Sequence, residues 1–258
     1  MNYSWNWHIF LEMAPGGSVS YIQTILDGTA WTLATAILSL AIAIIFGVLV
    51  GIGRTLPSKT LQIIGSIYVE IFRNIPLLVQ MFLWFFVFPE LMPERFGSWL
   101  KQFEYAPFLT AVVCLGLFTS SRVAEQVKSG IGALSKGQLK AGQALGLSLP
   151  DIYRLILLPQ AFRLIMPPMT SEIVNLVKNT SVAMTIGLME LTARARTMQE
   201  MSFQIFESFA AATLVYLIIN TIVVFGMRKI EARYSLLPKH NATKPDATIL
   251  VRSKHEPA

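Results

Sequence analysis

Charged side chains vanish from three long runs of this chain. Residues 28–53 give 26 uncharged positions between Asp27 and Arg54, 105–121 give 17, and 208–227 give 20 between Glu207 and Arg228. A helix needs about 20 mostly apolar residues to cross the hydrocarbon core. Two further apolar stretches are interrupted by charge: 61–88 contains Glu70, Arg73 and Pro76, and 163–189 contains Glu172 and Lys178. A charge at that depth is expensive and faces a polar cavity or a partner. The pattern therefore predicts an all-α, polytopic membrane protein with five transmembrane helices, near 26–53, 61–88, 105–124, 164–189 and 207–228.

Composition agrees with the pattern. Hydrophobic residues make up 53% of the chain and charged residues 14%, against about 25% charged in soluble domains. The net charge of +6 raises the question of nucleic acid, but the basic residues flank the apolar runs, as membrane orientation requires. With the N-terminus outside and the C-terminus inside, the five-helix topology puts 15 Lys and Arg on the cytoplasmic side and 4 outside. Arg73 and Lys178 fall within spans. This bias predicts that orientation, a partner bilayer and no nucleic acid. Residues 1–27 hold no Lys or Arg, so no cleavable signal peptide is expected. The expected domains are an N-terminal periplasmic segment, 1–25, a transmembrane domain, 26–228, and a cytoplasmic tail, 229–258.

The loop 125–163 is too apolar for a plain linker. Its sequence predicts a short helix near 136–147, stopped by Leu149-Pro150 because a residue before proline resists the α conformation. A second short helix, capped by Asp151, would then run toward Pro159. The pair is expected to lie beneath the membrane.

Glu70 and Arg73 lie three apart on one helical face and can pair locally. Arg73 could instead serve a pathway. Pro76 should kink or open the helix there, freeing backbone groups that need polar surroundings. In the fourth span Glu172, Asn175 and Asn179 share a face, with Lys178 about a quarter-turn away and Thr180 and Ser181 following. Such donors and acceptors suit a hydrated route for a zwitterion. A polar network locking helices together remains the alternative.

Other chemistry is sparse. The three histidines, His8, His240 and His255, lie in terminal segments, so no metal site is expected. Gly132 and Gly137 have phosphate-loop spacing, but Gln138 and Leu139 replace the Lys and Ser/Thr that a nucleotide needs. No nucleophile–base set is present, so the chain does not read as an enzyme, and it is expected to bind no cofactor.

Lys140-Ala141-Gly142, then Gly146, then Ile156, Leu158 and Pro159, match the spacing E-A-A-x3-G-x9-I-x-L-P. This resembles the coupling loop of bacterial ATP-binding-cassette (ABC) import permeases, with Lys140 at the acidic position. Small residues at Ala141, Gly142, Ala144 and Gly146 would let the helix seat closely in a partner. The stretches 68–80 (YVEIFRNIPLLVQ), 124–130 (AEQVKSG), 167–172 (PPMTSE) and 178–181 (KNTS) resemble the bacterial ABC-type polar amino-acid uptake permeases of histidine/glutamine type. The opening (Trp5-Asn6-Trp7, Ile9-Phe10-Leu11, Ala14-Pro15) and 89–94 (PELMPE) are most similar to the family's glutamate/aspartate permease subunit. The resemblance implies an ABC importer type-1 permease fold in the bacterial inner membrane. It implies a second permease subunit in a heterodimer, a pair of cytoplasmic ATP-binding subunits carrying ATP and Mg, and a periplasmic solute-binding protein. A secondary transporter working without an ATPase is the competing reading. It would need its own ion-coupling groups and usually inverted repeats, and none is evident.

Overall fold

The computed structural model describes residues 3–14 and 19–234, and the stretch 235–258 of the expected tail lies outside the described residues. Among the described residues a short 3-10 helix (Trp7–Leu11) is followed by nine longer helical runs: α1 (Tyr21–Gly53), α2 (Lys59–Asn74), α3 (Leu77–Leu91), α4 (Glu94–Gln102), α5 (Ala106–Gly132), α6 (Lys136–Ala144), α7 (149–179), α8 (Leu191–Ser202) and α9 (Ile205–Tyr234). No sheet strand occurs among the described residues. Among them α1, α5 and α9 are long and apolar enough to cross a membrane, and the α2–α3 pair adds a bent candidate.

α1 is apolar on every side, so amphipathicity does not tell its packed face from its lipid face. Residue size does. Gly28, Thr32, Ala36, Ser39, Ala43, Gly47 and Gly51 are all buried and recur every three or four positions, a stripe of small residues that lets backbones approach. A β-carbon at Gly47 would sit 2.5 Å from Val123, and one at Gly51 would sit 2.6 Å from Val127. α5, the receiving helix, is buried along most of its length. The outward residues of α1 and α9, including Ile37, Ile45, Leu49, Leu217, Ile222 and Phe225, are large and exposed, as lipid contact requires.

The second expected span is not one straight helix. α2 and α3 meet at a bend of 103°. Ile75 adopts an extended conformation ahead of Pro76, which the proline ring enforces. Gln80 Nε2 donates to the carbonyls of Phe72 (2.9 Å) and Ile75 (2.8 Å), capping acceptors left free by the break.

The fourth expected span is part of something longer. α7 begins at Leu149 and runs through Pro159, Pro167 and Pro168 to Asn179, continuing as a 3-10 turn to Ile186. There is no second short helix ending near Pro159. Residues Ile152–Leu157 form a π-helical segment, whose wider turn accommodates a proline that lacks an N–H and crowds the preceding turn. The same device precedes Pro89, where Leu83–Val87 is π-helical. Ser148 caps α7 by accepting from the Asp151 N–H at 3.4 Å. Asp151, expected to be the cap, lies inside the first turn.

Two acids organise the end of the bundle where α8 and α9 begin. Glu190, fully buried, accepts from the N–H groups of Thr192 (2.9 Å) and Ala193 (2.8 Å) and from the Tyr216 hydroxyl (2.9 Å). Glu207, also buried, accepts from the Asn6 N–H at 2.8 Å and from the Tyr3 hydroxyl. The N-terminal segment is thereby fastened to α9.

Candidate functional site

The residues singled out in the fourth span do share α7, and they differ sharply in surroundings. Glu172 is buried, with 11% of its side chain exposed, and its Oε2 lies 4.0 Å from Arg122 Nη1 of α5. Glu172 Oε2 and Arg122 Nε are both buried without a hydrogen-bond partner, so the pair is only half made. The Arg122 guanidinium also lies over the Phe118 ring, 5.0 Å from its centroid. Asn175 and Asn179 are half-buried and Lys178 is exposed. The Thr180 and Ser181 hydroxyls donate to carbonyls of their own helix, Val177 (2.8 Å) and Lys178 (2.7 Å), which removes them as free donors.

At the bend a second polar group forms from three helices. Glu125 Oε2 of α5 receives Arg54 Nη1 at 2.7 Å and faces Arg73 Nη1 at 3.6 Å. Arg54 is 6% exposed, and Gly65 makes room for it: a β-carbon there would fall 2.6 Å from Arg54 Cγ. Arg54, Glu70, Arg73, Asn74 and Glu125 line a cavity of about 340 Å³. The expected Glu70–Arg73 pair is absent among the described residues. Arg73 turns to Glu125 instead, a partner 52 positions away that helical spacing could not reveal, and Glu70 is exposed. The half-buried Glu125 carboxylate answers the buried Arg54 guanidinium, which meets the demand that a desolvated charge be paired.

The 136–159 segment forms an elbow. Its residues divide into two sets. Gly142 is buried, with its α-carbon against Ile152 of the π segment, where a β-carbon would fall 2.8 Å from Ile152 Cγ1. Gly146 has φ +77°, the left-handed conformation that suits glycine. The Leu147 N–H bonds to the Gly142 carbonyl at 3.1 Å and the Gly146 N–H to that of Gln143 at 3.0 Å, a Schellman ending. Lys140, Ala141 and Ala144 are exposed. Gln138 and Gln160 exchange side-chain bonds at 2.9 and 3.0 Å, and Tyr153 donates to the Thr55 carbonyl at 2.9 Å. The elbow is therefore tied to α7 and to the end of α1, with Ile156 half-buried and Pro159 exposed.

Sequence reasoning missed Arg54, Gln80, Arg122 and Glu125 as site residues. Gln80 and Glu125 stood within recognised stretches, and a charge directly ending an apolar run was the available signal for Arg54.

Long apolar helices with large exposed side chains, a half-made polar contact between two of them and an exposed elbow are the features of an α-helical membrane protein. The chain belongs to the family of binding-protein-dependent transport system inner membrane components, whose model matches residues 43–236. It is a transport component and not an enzyme. It is 46% identical over 240 residues to the glutamate/aspartate import permease protein GltJ of Escherichia coli (strain K12), covering 92% of this chain and 97% of that one. It is 31% identical to the probable glutamine ABC transporter permease protein GlnM of Bacillus subtilis (strain 168), covering 81% and 92% respectively. The crystal structure of an amino acid ABC transporter with histidines aligns at TM-score 0.71 and 25% identity, over 83% of this chain and 95% of that chain. An inward-facing structure of the MetNI methionine ABC transporter aligns at TM-score 0.70 and 20% identity, over 83% and 97%, which speaks to the fold.

Proposed function

We propose that this chain is a membrane-spanning subunit of a bacterial ATP-driven importer of polar amino acids, with glutamate and aspartate as cargo. Similarity to GltJ along 92% of the chain supports the cargo. One observation carries the mechanism: the 136–147 elbow packs on the π segment that begins α7, the helix bearing Glu172, Asn175 and Lys178. In this reading five spans cross the membrane, counting α2–α3 as one and α7 with its 3-10 continuation as another. The N-terminus lies in the periplasm and the C-terminus in the cytoplasm.

Two cytoplasmic ATPase subunits, which carry ATP and Mg, engage the exposed Lys140, Ala141 and Ala144. A second permease subunit completes the pathway, and a periplasmic binding protein delivers the amino acid. Closure of the ATPases pushes the elbow. Because Gly142 seats on Ile152 and Tyr153 holds Thr55, the push reaches α7 and α1 together. Glu172 and Asn175 then change their exposure to the cavity. The polar group of Arg54, Arg73 and Glu125 stabilises the bend of α2–α3 that flanks this movement.

The test is uptake of labelled glutamate by cells carrying the whole transporter, competed by aspartate, glutamine, histidine and arginine. Aspartate should compete about as well as unlabelled glutamate. Stronger competition by arginine or histidine would remove the acidic-cargo assignment.

A further inference from the structure

We infer that the groove between α7 and the C-terminal end of α9 is a binding site for an anionic phospholipid. The groove is a cavity of about 730 Å³ whose walls include Arg163, Leu164 and Met166 of α7 and Arg228, Glu231 and Tyr234 of α9. Arg228 directly follows the 20 uncharged residues of α9, and Arg163 directly precedes the apolar start of the fourth expected span. Both guanidinium groups thus stand where hydrocarbon gives way to headgroups.

Neither arginine has an ion-pair partner among the described residues. Glu231, the carboxylate on the wall, accepts the Thr170 hydroxyl at 3.1 Å and is drawn toward α7. Two guanidinium groups from neighbouring helices, neither in an ion pair among the described residues, thus line one groove, and the planar fork of arginine suits a phosphate. Basic pockets between transmembrane helices take anionic headgroups for this reason. Leu164, on the groove wall, is exposed and offers an acyl chain its path. Phe162 and Tyr234 meet edge to face with centroids 5.4 Å apart, placing aromatic rings at the interface level. A zwitterionic lipid would bring its ammonium toward the arginines, so an anionic headgroup is the better match. The inference rests on the proposed reading that α7 and α9 both cross the bilayer, and it is independent of the cargo.

The test uses the complete transporter, with this chain at full length, exchanged into bilayer discs of equal parts phosphatidylglycerol and phosphatidylcholine. Lipid that stays bound after detergent extraction is read by native mass spectrometry. Phosphatidylglycerol should be retained in preference. The double variant Arg163→Gln/Arg228→Gln should lose that retention by about tenfold or more, while Lys59→Gln, a basic residue away from the groove, should not. If the double variant fails to assemble, Arg228→Gln alone, at an exposed residue, gives the reading. Equal retention of both lipids, or unchanged retention in the variant, overturns the inference. So does a photocrosslinker at Leu164 that captures a second permease subunit or the chain's own tail in place of lipid. Uptake measured in parallel separates the two proposals, because loss of the lipid with acidic cargo still imported leaves the transport assignment standing.

Discussion

The α1–α5 seam and the α2–α3 bend are both helix contacts around α5, yet they are built on opposite principles. The seam is closed by the absence of side chains: Gly47 and Gly51 let Val123 and Val127 touch backbone. The bend is held by polar groups, with Gln80 on two carbonyls and Glu125 between two arginines. A close-packed seam has one arrangement and resists deformation. A bend whose bonds can be exchanged has others within reach. The contrast marks the seam as the frame, which would carry α1 and α5 as one body, and the bend as the joint whose bonds can be exchanged.

The largest expected effect breaks the seam. Gly47→Leu should separate α1 from α5, and overpacking of this kind costs about 1–3 kcal/mol or more. Thermal melting of the purified protein should fall by several degrees, or folded protein should vanish from the membrane. An unchanged melt would show that the seam is not the frame. Next is Gly146→Val, which places a β-branched residue at φ +77°, a conformation costing roughly 1–2 kcal/mol. Insertion should survive while uptake and co-purification with the ATPase both fall about tenfold. Gly146→Asn should retain more activity, since asparagine tolerates that region. Third, Gln80→Leu leaves the Phe72 and Ile75 carbonyls without their donor, at about 1–3 kcal/mol if they stay dry. Uptake should slow, with a smaller change in melting than Gly47→Leu causes. A melt as low as that variant's would erase the distinction between frame and bend. The smallest effect is expected from Lys140→Glu, which restores the acid of the coupling motif at an exposed position. Uptake should stay within about twofold, as surface charge pairs contribute about 0–1 kcal/mol.

The sequence made the three uncharged runs legible because α1 and α9 expose large apolar side chains and α5 is buried among other helices, so none of the three has a place for an unpaired charge. Their ends were less clear: α5 continues past the expected boundary at 124 to Gly132, so Glu125 belongs to the helix and pairs sideways. Pro76 was legible as a break because the effect of proline is local. Pro159 read as a stop for the same reason and was not one, because the π segment before it absorbs the missing donor. α4 and α8 were missed, being short and less apolar than the spans. Of the fourth-span residues, the shared face of Glu172 and Asn175 followed from periodicity, whereas the Arg122 partner depended on packing between α5 and α7. The glycines of the elbow were recognised by spacing, but their separate duties, contact at Gly142 and backbone twist at Gly146, needed coordinates.

The π segment at Ile152–Leu157 also sets a phase. A π turn carries one more residue than an α turn, and each helical residue advances the side-chain direction by about 100°. Removing one residue there would leave both ends of α7 with their own sequences while rotating Gly142's neighbours relative to the Glu172 face. The elbow and the polar face are thus mutually indexed by a single inserted residue, much as a keyway fixes two wheels on one shaft. A permease of this kind could tolerate substitutions at the exposed Arg154 and Leu155 and still fail on a one-residue deletion.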